Sequence, residues 1–425
     1  MPPDDHPQRR ALNDEVHARP PEALTEPLRL SYLVLMSGDE RGKESAALTA
    51  LLTHFGFPTA GAEQSHFSAD LGPFRLRWER HTEFVRYTFY VAGAEPEPFA
   101  APAIDNVPKD WLDSLPGQTI VATHAVLLPR GESDQHHERI AEKYFAGNAI
   151  VGSRISGGTG TAFADFRIHK DGFGRLLIHD YGMAPRQAGR FVQRLLEIDT
   201  YRIMALLAFP VAQQLSPFLK QSERELVEIA SHMTSAGEED EPQLLDRLTR
   251  LEAEIERRHA DTLYRFSAAA AYYDLVEQRI DELREERIEG LQTFREFNNR
   301  RLAPAMATCR SVAERQTALS ERVAHATVLL ATRVDVSRER QNQALLLSMD
   351  RRANLQLRLQ QTVEGLSVAA ITYYIVGLTG YGAKALKEAG LAVNPDIAMG
   401  LSIPVIATLV ALGVWRLRKS LHRDT

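Results

Sequence analysis

GLSVAAITYYIVGLTGYGA, residues 365–383, contains no charged side chain, and neither does IAMGLSIPVIATLVALGVW, residues 397–415. As helix, each 19-residue run covers about 28 Å at 1.5 Å per residue, close to the roughly 30 Å hydrocarbon core of a bilayer. A buried helix of a soluble domain ordinarily keeps a polar stripe at this length. Both runs therefore read as membrane spans, and the rest of the chain is read outward from this two-helix hairpin.

The flanks orient it. RLRKSLHR after the second run carries four Arg or Lys, and Arg351, Arg352 and Arg358 precede the first. The segment between, 384–396, balances Lys384 and Lys387 against Glu388 and Asp396. Basic flanks stay cytoplasmic, so both termini are expected inside with a short outer loop. Tyr381 and Trp415 fall where interfacial aromatic anchors belong.

Composition excludes some functions. A net charge of −6 argues against a nucleic-acid partner, because phosphate binding needs clustered basic residues in excess. The single cysteine, Cys309, excludes an intrachain disulfide and a multi-cysteine metal site, and fits a reducing compartment. The start, MPPDDHPQRRALNDEVHARPPEAL, has no apolar core of signal-peptide length, so the N-terminal region is expected to stay unexported.

Residues 1–184 read as a cytoplasmic α/β domain. LRLSYLVLM, FRLRWER, EFVRYTFYVAG, TIVATHAVLLP, AIVGSRIS, TAFADFRIHK and GRLLIHDYG are strand-like, and GKESAALTALLTHFG is helical with Gly56 at its end. Short turns between strands predict a mixed or antiparallel sheet with helices packed on it. ISGGTGTAFADF lacks the Lys-Ser/Thr pair of a phosphate loop and reads as a hairpin turn, as does Asp171-Gly172.

Strand signals cease after residue 184, and residues 185–303 read as a long helical region. From LLDRLTRLEAEIERR onward, about 60 residues of alternating charge predict one amphipathic helix ending near Pro304. Next, Cys309, Val312, Gln316, Leu319, Val323, Ala326 and Leu330 follow a heptad seam that wants a partner helix. Residues 304–382 then read as one stalk helix continuing into the first span, at about 365–383. The outer loop, 384–396, the second span, 397–415, and a basic cytoplasmic tail, 416–425, complete the order.

Other polar clusters carry less. Asp14, Glu15, His17 and Arg19 stand within a few residues of one another before Pro20-Pro21. Capping, turn formation and ion pairing weigh against a cation site or subunit contact there. Asp134, His136, His137 and Glu138 are read as an exposed polar face, since adjacent histidines point to different helix faces and HExxH is absent. No serine elbow or acid/base pair stands out, so the expectation is a protein that is not an enzyme.

The order of α+β domain, long helices, stalk, short outer loop and basic tail resembles the CorA family of divalent-cation channels, whose first span ends in Gly-x-x-Gly-Met-Asn. Here Gly377-Leu378-Thr379-Gly380-Tyr381-Gly382 stands at that place, with Tyr381 and Gly382 replacing Met and Asn. The resemblance implies a homo-oligomer, a pentamer in that family, with Gly377, Gly380, Tyr381 and Gly382 at a pore mouth. Glu388 and Asp396 would gather cations near it, and a divalent ion such as Mg²⁺ would be carried. The missing Asn departs from the group that holds the hydrated ion. ALNDEVHARPPEAL together with VEGLSVAAITYYIVGLTGYGAKAL also resembles an uncharacterised bacterial family of predicted membrane-anchored proteins, which implies the bacterial inner membrane. Two functions follow as expectations: an oligomer conducting cations along its first spans, or a membrane-anchored scaffold that transports nothing.

Overall fold

In the computed structural model the strand-like runs pair into one mixed sheet. It describes residues 5–421 apart from 11, 14–19, 38–40, 59–64, 96, 131–136, 236, 238, 239, 391 and 393. The chain divides into two units, residues 1–234 with 246–327, and residues 235–245 with 328–425.

In the first unit the strands are β1 (Leu28–Met36), β2 (His66–Asp70), β3 (Arg75–Arg80), β4 (Phe84–Ala92), β5 (Gln118–Pro129), β6 (Val151–Ile155), β7 (Gly160–Ala164), β8 (Gly174–Asp180) and β9 (Glu286–Arg287). Their order across the sheet is β2-β3-β4-β1-β5-β8-β7-β6-β9. Every neighbouring pair is antiparallel except β5 and β8. With helices α1 (Arg41–His54), α2 (Lys109–Asp113), α3 (His137–Tyr144) and α4 (Pro185–Leu206), the order β1-α1-β2-β3-β4 recurs as β5-α3-β6-β7-β8. β1 and β5 join the two halves in the middle of the sheet.

Strand alternation decides what each face buries. Leu33, Leu35, Leu76, Trp78, Val85, Tyr87 and Phe89 point to one side and pack on Leu48, Leu51 and Leu52 of α1. Val126, Phe163 and Leu177 pack on Ile140 and Tyr144 of α3. The residues between them point to α4. Tyr32 Oη lies 2.8 Å from Thr200 Oγ1, and Thr123 Oγ1 donates to Asp199 Oδ2 at 2.8 Å.

Covering both faces forces the charges of FRLRWER inward. Arg77 Nη2 donates to Glu79 Oε1 at 2.9 Å, Arg86 bonds Glu79 through Nε, and Arg86 Nη1 reaches Glu197 Oε1 on α4 at 3.5 Å. Arg279 Nε closes the chain on Glu197 Oε2 at 2.5 Å. Burial alone would raise the Glu79 carboxyl pKa, but Arg86 and Arg77 outweigh it and hold the group at about 2. Over this network lies the segment after the ALNDEVHARPPEAL arginine. Pro20 O accepts from Arg77 Nη1 at 2.9 Å, and Leu24 N–H donates to Pro185 O at 2.9 Å. Gly189 on α4 admits it, since a Cβ there would overlap the carbonyl oxygen of Glu22.

The helical region departs from the single 60-residue helix. After α5 (Ala208–Ser235), α6 (Glu241–Leu283) stops, β9 adds to β6, and α7 (Phe294–Arg301) precedes α8 (Ala303–Glu388). Arg284 at φ 48° and Gly290 at φ 84° make the break. Thr293 and Glu296 restart the helix with a reciprocal capping box. The heptad seam finds its partner inside the chain. Cys309, Val312, Gln316, Leu319 and Val323 are buried, Thr262 Oγ1 on α6 donates to Gln316 Oε1 at 3.1 Å, and Arg315 Nη2 bonds Glu223 Oε2 on α5 at 2.9 Å.

In the second unit α8 is followed by α9 (Pro395–Leu421), and Arg333 Nη2 bonds Glu241 Oε1 at 2.8 Å. The Gly380-Tyr381-Gly382 triplet does not end the helix, which runs on to Glu388. Two helices are long and apolar enough to cross a membrane, and hardly any of either apolar window is buried.

Candidate functional site

Two places in the described residues carry chemistry: the apolar hairpin and a pocket beside α4. In the hairpin, Val376, Gly380 and Ala383 are buried at helical spacing and form the face turned to α9. A Cβ on Gly380 would stand 2.7 Å from Met399 Cε, so this glycine permits close approach of the two apolar helices. Gly377 and Gly382 have open space where a Cβ would be, and the Tyr381 side chain is exposed. Glu388 and Asp396 are exposed at the two helix ends. Asp14, Glu15, His17 and Arg19 lie outside the described residues, as do Asp134 and His136. Among the described residues no group of three His, Cys, Asp or Glu gathers to hold a metal ion.

The pocket has a volume of about 330 Å³, at the lower end of the range for small-molecule sites. One wall is the α4 face of β5, where β8 takes up pairing only from Thr123 onward, so that Thr119–Ala122 continue the wall alone. Leu195, Asp199, Arg202 and Ile203 of α4 form the second wall. The third is the loop 165–173 between β7 and β8, with Phe294 behind it.

That loop was expected to be strand to Lys170, and its departure explains the pocket. The Asp165 carboxylate accepts from Arg167 N–H at 3.2 Å and from Asn148 Nδ2 at 2.9 Å, and His169 Nε2 lies 2.8 Å from it. These bonds compete with the sheet ladder and turn the chain. Phe166 is held at φ 51°, a conformation that sterics disfavour for a bulky side chain. Its ring is fixed by stacking on Phe297 at 4.4 Å, an edge contact with Phe294 at 5.9 Å, and the Arg202 guanidinium 4.6 Å from its centroid.

Asp199 and Arg202 supply the fixed charges. Arg202 Nη2 donates to Asp199 Oδ1 at 2.6 Å, while Thr123 occupies the other carboxylate oxygen. Arg202 Nε is buried and has no acceptor among the described residues. Arg167 also lines the pocket, whereas the Arg175 guanidinium turns to the other face of the sheet, where Nη1 donates to Tyr144 O at 2.7 Å and the group lies over the Phe99 ring. Sequence reading passed over all of these residues. The one local signal was Asp165 two residues before Arg167 and four before His169, an Asx-turn spacing.

A family model described as "Protein of unknown function (DUF3422)" matches residues 4–421. No curated protein and no solved structure matches the chain.

Proposed function

The chain belongs to the DUF3422 family, and from that premise we propose that it is an integral protein of the bacterial inner membrane. It spans twice with both termini cytoplasmic, and acts by binding rather than by catalysis. The hairpin is an anchor that holds the α+β domain at the cytoplasmic face. The observation that carries this reading is the pairing of α8 and α9 through Gly380 and Met399, with Leu366, Tyr373, Tyr374, Leu378, Leu401 and Leu409 left uncovered. Water penalises such a surface, whereas lipid does not. The test replaces Cys309 with Ser and introduces single cysteines at Ala389 or Arg340, then labels intact cells with a membrane-impermeant maleimide. Ala389→Cys should label from outside and Arg340→Cys only after permeabilisation. Recovery of the protein in the soluble fraction, or the reverse labelling, refutes the reading.

A second reading, an oligomer of CorA-like architecture conducting a cation such as Mg²⁺, draws on a different observation. Leu345, Leu346, Leu347, Leu355 and Leu359 are exposed on α8 before the apolar run begins, as in a helix that packs on its own copies. Gly377, Tyr381 and Gly382 would then face the axis, with Glu388 and Asp396 at its outer end. Mass measurement of the purified protein and divalent-cation flux in liposomes test it. A closed ring with flux abolished by Tyr381→Ala supports conduction, and a monomer without flux eliminates it while leaving the anchor intact.

A further inference from the structure

We propose that the pocket beside α4 binds a small amphipathic anion, a monocarboxylate carried on an aryl or short alkyl body, with its carboxylate at Arg202. The inference stands on the first unit and does not depend on how the hairpin functions.

Four observations converge. The first is an unmet donor: Arg202 already spends Nη2 on Asp199, yet its Nε is buried without an acceptor. A buried donor left unsatisfied is costly, and an anionic oxygen that reaches it would remove that cost. The second is charge, because Arg167 and Arg202 outnumber Asp199. Asp199 is itself engaged on both oxygens, by Thr123 and by Arg202, so it orients the guanidinium rather than competing for a cation. The third is the wall: Ile120, Leu195, Ile203, Phe166 and Phe294 offer an apolar surface that a free phosphate or another wholly polar ion would desolvate against without return. The fourth is strain, since Phe166 is kept at φ 51° by ring contacts with Phe297 and Arg202. Backbone strain of this kind persists where the surroundings enforce it, and such places are enriched in ligand sites.

Size and shape narrow the class. A volume of about 330 Å³ holds a ring or a short chain and excludes a two-chain phospholipid. Ile168, 82% exposed on the loop 165–173, stands at the mouth as an apolar lip that a bound body would cover. The preferred ligand is therefore a soluble monocarboxylate that enters from water.

The probe is 4-phenylbutyrate, titrated by calorimetry into the full chain in lipid nanodiscs, with empty nanodiscs as the blank. Its uncharged analogue 4-phenylbutan-1-ol is the comparison ligand. Saturable binding of the acid is expected, at least tenfold tighter than that of the alcohol. Arg202→Met should weaken the acid at least tenfold and leave the alcohol unchanged, and Leu195→Trp, which fills the cavity, should abolish both. The acid-to-alcohol ratio is read on the unaltered protein, so it decides the matter even where a variant fails to fold. Absence of saturable heat up to millimolar acid, equal affinity for acid and alcohol, or a folded Arg202→Met protein that binds the acid normally would each overturn the proposal.

Discussion

Replacing Glu79 by Gln preserves the shape of the side chain and removes the charge between Arg77 and Arg86. Those three side chains and Glu197 are all at most 7% exposed, so water cannot compensate. The Glu79 carboxyl is held at about 2 against an ordinary 4.5, a difference worth about 3 kcal/mol at roughly 1.4 kcal/mol per unit. Deleting one member of a buried ion pair costs about 3–5 kcal/mol for an independent reason, the charge left unpaired. At roughly 2–4 °C per kcal/mol for a domain of this size, Glu79→Gln should lower the unfolding midpoint by about 6–20 °C. Trp78, the adjacent residue on β3 and fully buried, reports this by fluorescence in the full chain in nanodiscs. The folded pKa lies below the unfolded one, so the contribution is complete above about pH 4.5 and is lost as pH falls toward 2. The gap between variant and parent should close over that window. Removing both charges, as Glu79→Leu with Arg86→Met, should recover part of the loss, because Glu197 keeps Arg279 while Arg77 retains only Pro20 O. A shift of Glu79→Gln below about 2 °C, or a double variant as unstable as the sum of its parts, refutes the account.

Burial of His124, between Ser31 Oγ at 2.9 Å and the Phe173 ring at 3.9 Å, lowers its pKa to about 4; Asp171 opposes this and Arg175 reinforces it, both to a smaller extent. The unfolded chain binds the proton first, so stability should fall by up to about 3 kcal/mol as pH drops from 6.5 to 4. His124→Gln should flatten that window in thermal scans across pH. Gly189→Ala should displace the segment 20–24 and lower stability by about 1–3 kcal/mol, with faster amide exchange at Leu24 as its local signature. Thr293→Ala removes a capping box and should cost about 1 kcal/mol, read as faster exchange of the Glu296 amide. Gly380→Leu should separate α8 from α9 and lower the yield of a disulfide engineered across them. Gly382→Leu, which meets open space, should leave that yield unchanged.

Periodicity made much of the first unit legible. Seven strand-like runs became β1 and β3–β8, because Val, Ile, Phe and Tyr at alternating positions need a pleated, half-buried surface. β2, HFSAD, escaped because it lies at the sheet edge with mostly partial burial and offers little apolar contrast. β9 escaped because two residues, Glu286 and Arg287, carry no strand signature at all. The break between α6 and α7 was legible in principle through Gly290 and the Thr293-Glu296 capping box, but strong helix formers on either side masked it. The inward charges of FRLRWER were invisible as a network, because Glu197 and Arg279 lie far along the chain from β3 and only the cover of α4 brings them in.

That contrast explains why two helices apolar and long enough to cross a membrane could be read from the sequence and the pocket could not. A lipid-facing helix is constrained residue by residue, since each polar side chain on it has a cost in hydrocarbon regardless of what lies elsewhere. Composition over 19 residues therefore carries the signal. The pocket instead depends on Thr123, Asp165, Phe166, Asp199, Arg202 and Phe294, brought together from β5, a loop, α4 and α7. Each of these residues is ordinary in its own window, and what distinguishes them is a relation: a guanidinium whose Nε finds no acceptor, beside a phenylalanine held in a left-handed backbone. Local rules are violated where the tertiary structure enforces the violation. The strained Phe166 therefore makes the loop 165–173, rather than the glycine triplet of the hairpin, the first place to look for a ligand.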